Sequence, residues 1–175
     1  MPSSIEFYIL ENANERQAML FVCDLVEKLY EANESALRDA CYARSSEPVL
    51  SLSKERTDSS KLLQKTSIHV VSLEKAELLD SLLWTFRDIS FLPHQIHSAS
   101  ENTSEIEIGF GEFSFIDDVL INISDQMPPI NKQYKRIIEI VFSDPLMQQL
   151  ARERYKQYRQ NGYELITHKL KAPFA

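Results

Sequence analysis

Residues 144–162 read DPLMQQLARERYKQYRQNG and carry the clearest structural pattern in the chain. Asp144 is a suitable N-cap, Pro145 fits the first helical position, and Gly162 stands where a left-handed C-terminal cap is expected. We therefore predict a helix between these caps. With about 3.6 residues per turn, one face of this helix is apolar and should pack on a core. The apolar face comprises Met147, Leu150, Ala151 and Tyr158.

A second face of the same helix is cationic. Arg152, Lys156 and Arg159 fall together on it, and Tyr155 lies at the seam between the two faces. A solvated basic face, with arginines complementing the helix dipole, would be the ordinary interpretation. However, the chain has a net charge of −7, so the cluster reverses the sign of its surroundings. An aromatic ring beside cations also suits a ligand that is both anionic and apolar.

Three stretches of this sequence carry recognisable motifs. The longest is residues 149–159, QLARERYKQYR, followed by Gly162 and Tyr163. The others are Leu79-Asp80 and Leu83-Trp84 followed by FLPH at 91–94, and the apolar FYIL at 7–10. Together they resemble the chi subunit of bacterial DNA polymerase III holoenzyme. With weaker matches at 106–110 and 118–123, the resemblance covers most of the chain except residues 34–66.

The resemblance implies a non-catalytic accessory subunit of the replicative polymerase. Such a subunit would link the clamp loader, through the psi subunit, to single-stranded-DNA-binding protein, and would contact DNA only indirectly. The basic helix would dock the acidic C-terminal tail of that protein, which ends in an apolar residue and a free carboxylate. We expect Arg152 to hold the carboxylate bidentately, with Tyr155 and Lys156 beside it and Val141 as a wall of the pocket. Lys156 and Arg159 would attract the upstream acidic residues.

Arg154 and Gln148 lie on the same helix and are interpreted separately from the cationic face. Arg154 points toward the apolar face, so we expect its stem to pack structurally. The chi family often has a further cation one turn before the central arginine, where this chain has Gln148.

A second candidate surface consists of Trp84 with Phe91, Pro93 and His94. The single tryptophan has a plain interpretation as a core residue. Partner anchoring is the rival interpretation, because tryptophan and phenylalanine are over-represented at the energetic centres of interfaces. The family resemblance implies that this region contacts the psi subunit.

Composition indicates a single domain over residues 1–175, long enough to bury a substantial core. The net charge of −7 disfavours broad binding to a phosphate backbone, which needs many cations. Cys23 and Cys41 lack metal-site spacing and predict no disulfide framework. With neither a leader pattern nor a long apolar run, the expectation is a reduced, cytoplasmic protein without a membrane partner.

The order of elements predicts a three-layer, Rossmann-like α/β domain with a mostly parallel sheet. Apolar runs predict strands at 5–10, 67–72, 106–110, 118–123, 136–142 and 163–167. Helical spacing predicts one helix from Asn12 or Asn14 to about Ala32 and another over 73–86. Residues 36–43 could extend or restart the first helix before Pro48, but we interpret 34–66 as an exposed insertion.

The rival function is a small α/β domain that binds, or acts on, a phosphorylated metabolite. The turn after the first strand has no glycine, so no nucleotide-binding loop and no cofactor are expected. His94 and His97, with Glu101 beyond, are too few and too irregular to predict a metal site. No nucleophile with a recognisable base appears, and the sequence predicts no enzymatic activity.

Overall fold

The structure, a computed structural model, describes residues 4–45, 64–97, 104–112, 118–129 and 134–171. In chain order the elements are β1 Ser4–Glu11, α1 Glu15–Ser45, β2 Thr66–Val70, α2 Leu73–Thr85, β3 His94–Ile96, β4 Ile106–Phe110, β5 Val119–Asn122, β6 Arg136–Val141, α3 Pro145–Gln160 and β7 Leu165–Lys171.

The described strands form one open, seven-stranded sheet in the order β3-β4-β2-β5-β6-β1-β7. Every neighbouring pair is parallel, which confirms the predicted α/β class. Helices cover both faces. One core cluster joins α1 and α2 to the sheet, and a second joins α3 to the opposite face of β1, β5 and β6. The result is the expected three-layer arrangement.

Strand β6 shows how a parallel strand is buried on both sides. Ile138 and Ile140 belong to the core beneath α1 and α2, whereas Ile137 and Val141 belong to the core beneath α3. Successive side chains point to opposite faces, so a nearly continuous apolar run is required here. The exception within the run is Glu139, which is fully buried.

The first helix is longer than predicted. Asn14 begins it with a reciprocal cap, in which the Asn14 side chain accepts from the Gln17 backbone at 2.9 Å and the Gln17 side chain accepts in return. The helix continues past Ala32 to Ser45, so the predicted end was wrong. Residues of high helix propensity continue it, in agreement with the alternative that residues 36–43 extend the first helix. The remainder of the proposed insertion, 46–63, lies outside the described residues.

The sequence also failed to predict β3. His94 begins a three-residue strand that pairs in parallel with β4. Proline is tolerated just before an edge strand, where its missing N–H costs no ladder hydrogen bond. The strand is too short to produce a periodic pattern.

Both predicted caps of α3 are present. The Asp144 carboxylate accepts from the Met147 backbone N–H at 2.9 Å. At the other end Gly162 has φ +81°. There the Gly162 N–H donates to the carbonyl of Arg159 and the Tyr163 N–H to that of Tyr158, a Schellman motif. No described helix combines the length and apolarity needed to cross a membrane.

Candidate functional site

An open groove of about 480 Å³ lies between α3 and the β1–β7 side of the sheet. Its lining combines an apolar floor with a polar and cationic rim. The floor is formed by Phe7, Ile9, Val141 and Ala151, and the rim by Gln148, Arg152, Tyr155, Lys156 and Thr167. The groove is therefore apolar inside and positively charged along its α3 side.

The structure brings most of the predicted tail-binding residues to this groove. Arg152, Tyr155, Lys156 and Val141 all line it. Arg159 is exposed on α3 but is not among the lining residues, because it lies nearly one turn beyond Lys156. Of the cationic face predicted from helical spacing, Arg152 and Lys156 thus border the groove and Arg159 flanks it.

Tyr155 is fixed by packing against the sheet. Its ring meets the Phe7 ring edge-on, with centroids 5.2 Å apart, while Phe7 also contacts Tyr158 at 6.1 Å. Such edge-to-face pairs stabilise the rings beyond simple burial. The half-buried Tyr155 therefore presents a preorganised aromatic wall to anything that enters the groove.

Several groove residues were missed from the sequence. Phe7, Ile9 and Thr167 come from β1 and β7, which meet α3 only because β1 is inserted between β6 and β7. Alternation along β1 and β7 would reveal which residues share a face, but strand order does not follow from local pattern. Ala151 was predicted to pack on a core, and it does so beside the groove.

None of the described acidic residues neutralises the two groove cations. Arg152 and Lys156 are exposed, and neither makes an ion pair in the part of the chain that the structure describes. Their charges therefore remain available to an external anion. Guanidinium is the better of the two for holding a carboxylate through two parallel hydrogen bonds.

Arg154 has a different position on the same helix. It is 4% exposed, and its Nε lies 3.1 Å from Oε2 of the fully buried Glu139. Tyr158 donates its hydroxyl to Glu139 at 2.7 Å and Asn122 donates its amide at 3.0 Å. The expectation of stem packing was incomplete, because the guanidinium itself is buried.

Burial raises the pKa of Glu139 above its usual range, while the charge of Arg154 and the hydrogen bonds from Tyr158 and Asn122 oppose that rise. The same burial, with the neighbouring carboxylate, raises the pKa of Tyr158. A signal for this cluster was present in the sequence: a glutamate inside the apolar run of β6 requires a buried donor. The network ties α3 to β5 and β6, and β6 also supplies Val141 to the groove.

The second predicted surface is an exposed aromatic patch. Trp84 is 55% exposed and Phe91 69%, with ring centroids 5.7 Å apart, and Ile89 is exposed beside them in sequence. The interpretation of Trp84 as a core residue is therefore wrong. Leu92 is the buried member of this segment and attaches it to the core.

His94 supports this patch from beneath. Its side chain is 1% exposed, with Nε2 3.3 Å from Asp80 and the ring centroid 5.0 Å from that of Trp84. Nδ1 faces the Leu92 carbonyl at 2.7 Å and so donates to it. Pro93 is half-buried next to it. Of the four predicted residues, Trp84 and Phe91 are the ones that present large apolar surface.

A second cleft, of about 400 Å³, lies where α/β domains commonly hold ligands, at the carboxyl edge of the strands. Its lining includes the acidic residues Glu15, Asp125 and Asp144, but no lysine or arginine. The turn between β1 and α1 contains Asn12 at φ 60° rather than a phosphate-binding glycine. This cleft is unsuited to a phosphorylated ligand.

The remaining candidates for chemistry are the Cys23 thiol and a metal site at the histidines. Burial raises the pKa of the Cys23 thiol to about 12, which keeps it protonated. Over the described residues, no group of three or more histidine, cysteine or acidic side chains could hold a metal. Glu101, which was considered with the two histidines, lies outside that part of the chain.

Comparison with known proteins agrees with the motifs of the basic helix. Residues 51–166, about two thirds of the chain, match the family model described as DNA polymerase III chi subunit, HolC. The chain belongs to the chi family. Family membership makes it an accessory and not a catalytic subunit, in agreement with the sequence analysis.

Individual chi subunits show the same relationship. The chain is 23% identical to that of Pseudomonas aeruginosa over 167 residues, which cover 95% of this chain and 96% of the relative. It is 33% identical to that of Haemophilus influenzae over 107 residues, or 59% of this chain and 74% of the relative. The Escherichia coli chi subunit is 30% identical over 97 residues, covering 54% and 66% respectively.

Proposed function

We propose that this chi-family protein bridges the clamp loader to single-stranded DNA coated by its binding protein during replication. The groove would receive the acidic C-terminal tail of single-stranded-DNA-binding protein, and the aromatic patch would receive the psi subunit. The observation that carries the proposal is an apolar groove bordered by a fixed tyrosine and by two cations that have no ion-pair partner among the described residues. This role would place the protein in the cytoplasm with the polymerase.

The groove matches the chemistry of such a tail. A terminal apolar side chain would bury itself against Phe7, Ile9 and Val141, while Arg152 holds the free carboxylate. Lys156, with Arg159 outside the groove, would attract the acidic residues at long range as the tail approaches and so raise the rate of association. Because a flexible peptide loses conformational freedom on binding, we expect affinity on the order of micromolar. Several tails on one filament would raise the effective affinity.

Fluorescence anisotropy with a labelled tail peptide tests the groove directly. We expect saturable binding by the wild type that weakens at higher salt, and loss of most binding in Arg152→Ala. Arg16→Ala is the matched control, because Arg16 is an exposed arginine at the start of α1, in the helix layer on the opposite face of the sheet. Its binding should equal that of the wild type. If the wild type shows no binding at either salt concentration, the groove does not receive this tail.

The aromatic patch requires a separate test with the psi subunit of the same bacterium. Trp84→Ala should weaken complex formation measured by calorimetry by at least tenfold, since buried tryptophans dominate many interfaces. Leu146→Ala is the control, because Leu146 is 62% exposed and lies on a different helix. Equal affinity of Trp84→Ala and the wild type would exclude the patch as the psi contact.

A further inference from the structure

The face of β7 that borders the groove carries more than Thr167. Thr167 lines the groove, and successive strand residues alternate between faces. His168 stacks on Tyr8 on the opposite side of the sheet, and Leu170 packs against the core beneath α1. Lys169 therefore projects on the same face as Thr167. It is exposed and makes no ion pair within the described residues.

The strand register places Lys169 beside the floor of the groove. Its Cα is paired with that of Ile9, which in turn is paired with Val141. Both Ile9 and Val141 line the groove. Lys169 thus borders the end of the groove toward the carboxyl edge of the sheet, the end at which α3 begins.

That end of the groove has no cation on the helix side. Gln148 lines it one turn before Arg152, so α3 supplies charge only from Arg152 onward. The edge strand supplies a positive charge on the opposite wall. An acidic segment leaving the groove in this direction would meet Lys169 where the helix offers only an amide.

We propose that Lys169 is a binding residue for the acidic segment of the docked peptide, on the wall of the groove opposite Gln148. This inference rests on the proposed function. From Thr167 to Lys169 is a rise of about 6–7 Å, the length of about two extended peptide residues. With the terminal carboxylate held at Arg152, level with Thr167 across the groove, Lys169 would contact acidic side chains a few residues before the peptide's C-terminus.

Lys171 shares this face but contributes less. Its Cα is paired with that of Glu11, whose own side chain lies on the same face of the neighbouring strand. A carboxylate beside Lys171 reduces the local positive potential. The cationic contribution of β7 is therefore centred on Lys169.

The test compares single variants with two peptides. The first peptide is the acidic tail, and the second has every acidic side chain replaced by its amide while the free C-terminal carboxylate is kept. Lys169→Ala should weaken binding of the acidic peptide about threefold to fivefold at low salt, the upper part of the range for an exposed charge pair. Lys169→Arg should bind like the wild type. Toward the amide peptide, Lys169→Ala and the wild type should be equal.

Lys65→Ala is the matched control, since Lys65 is exposed at the amino edge of the sheet, just before β2, and changes the net charge identically. The inference is overturned if Lys169→Ala binds the acidic peptide like the wild type while Arg152→Ala does not, a result that leaves the proposed function intact. Equal weakening by Lys65→Ala would also overturn it, because the effect would then come from net charge. Absence of binding by the wild type would remove both proposals.

Discussion

Two arginines, two residues apart on α3, occupy opposite environments. Arg152 is exposed at the rim of the groove and has no internal ion pair among the described residues, whereas Arg154 is 4% exposed and paired with the buried Glu139. Helical geometry is the cause, because two residues correspond to a rotation of about 200°. The same residue type is therefore available to a ligand at one position and committed to the fold at the other.

The buried Glu139–Arg154 pair also restrains the orientation of α3. A buried ion pair gains little net stability over well-packed apolar residues, since both charges lose their hydration. Removing one partner is costly, however, and this makes the pair an effective restraint on the rotation of α3. We infer that the Glu139–Arg154 network holds the helix in the orientation that presents Arg152 and Lys156 to the groove.

The largest expected effect is on stability, from Arg154→Ala. It should lower the free energy of unfolding by about 3–5 kcal/mol, because Glu139 is left buried without its cationic partner. Arg152→Ala should change that free energy by less than about 0.5 kcal/mol while removing peptide binding. Urea denaturation measures both. Replacing the pair together, as Glu139→Gln with Arg154→Met, should cost less than Arg154→Ala alone. Equal losses from Arg152→Ala and Arg154→Ala would contradict the division between the two faces.

A third arginine provides an intermediate case. Arg136 is partly exposed and donates to Glu6 through Nε at 2.6 Å and Nη2 at 2.8 Å. Burial alone would raise the pKa of Glu6, but the hydrogen bond and charge of Arg136 outweigh it and leave the pKa lowered. His168 and Tyr8 also face this carboxylate.

Glu6→Gln should therefore cost about 1–2 kcal/mol of stability at neutral pH, less than Arg154→Ala. Because the folded pKa is below the unfolded value near 4.5, the stabilising contribution is present above that value and is lost as pH falls below it. Urea denaturation at pH 7 and pH 3 measures the difference between Glu6→Gln and wild type, which should shrink at pH 3. A difference that is unchanged at pH 3 would show that the ion pair is not its source.

Substitutions of Gly162 in the Schellman cap test whether the stability of α3 and peptide binding in the groove can be separated. Gly162 has φ +81°, and a Cβ there would meet nothing within 4 Å, so only backbone strain opposes alanine. Gly162→Ala should cost about 1 kcal/mol, and Gly162→Asn less. Peptide affinity, measured where both variants remain folded, should match the wild type. A parallel loss of affinity would mean that the C-terminal end of α3 also determines the groove.

Much of this arrangement could be predicted from sequence, because local pattern was strong where the helix has caps and a clear apolar face. Asp144, Gly162 and the cationic spacing from Arg152 to Lys156 required only helical periodicity. The division between Arg152 and Arg154 followed from the same geometry.

What could not be predicted depended on contacts distant in sequence. The groove floor joins Phe7 to Val141 and Thr167, which become neighbours only through the strand order. Arg154, the buried partner of Glu139, lies on another element. The apolar run around Glu139 therefore predicted a strand but did not identify the partner. The edge strand β3 was too short to show periodicity, and α1 continued because helix formers persist beyond its buried face.

The smallest expected effect is a gain of affinity. Gln148→Lys would add a cation to the helix wall of the groove, opposite the edge strand. We expect peptide binding to strengthen about twofold to fivefold at low salt and the gain to diminish as salt rises, since exposed charges are screened. Gln157→Lys is the control, because residue 157 is exposed on α3 away from the groove and adds the same charge. Anisotropy at two salt concentrations measures both variants, and their stabilities should stay within about 0.5 kcal/mol of the wild type. If Gln157→Lys strengthened binding as much as Gln148→Lys, affinity would depend on overall charge, and the groove face of α3 would have no special role.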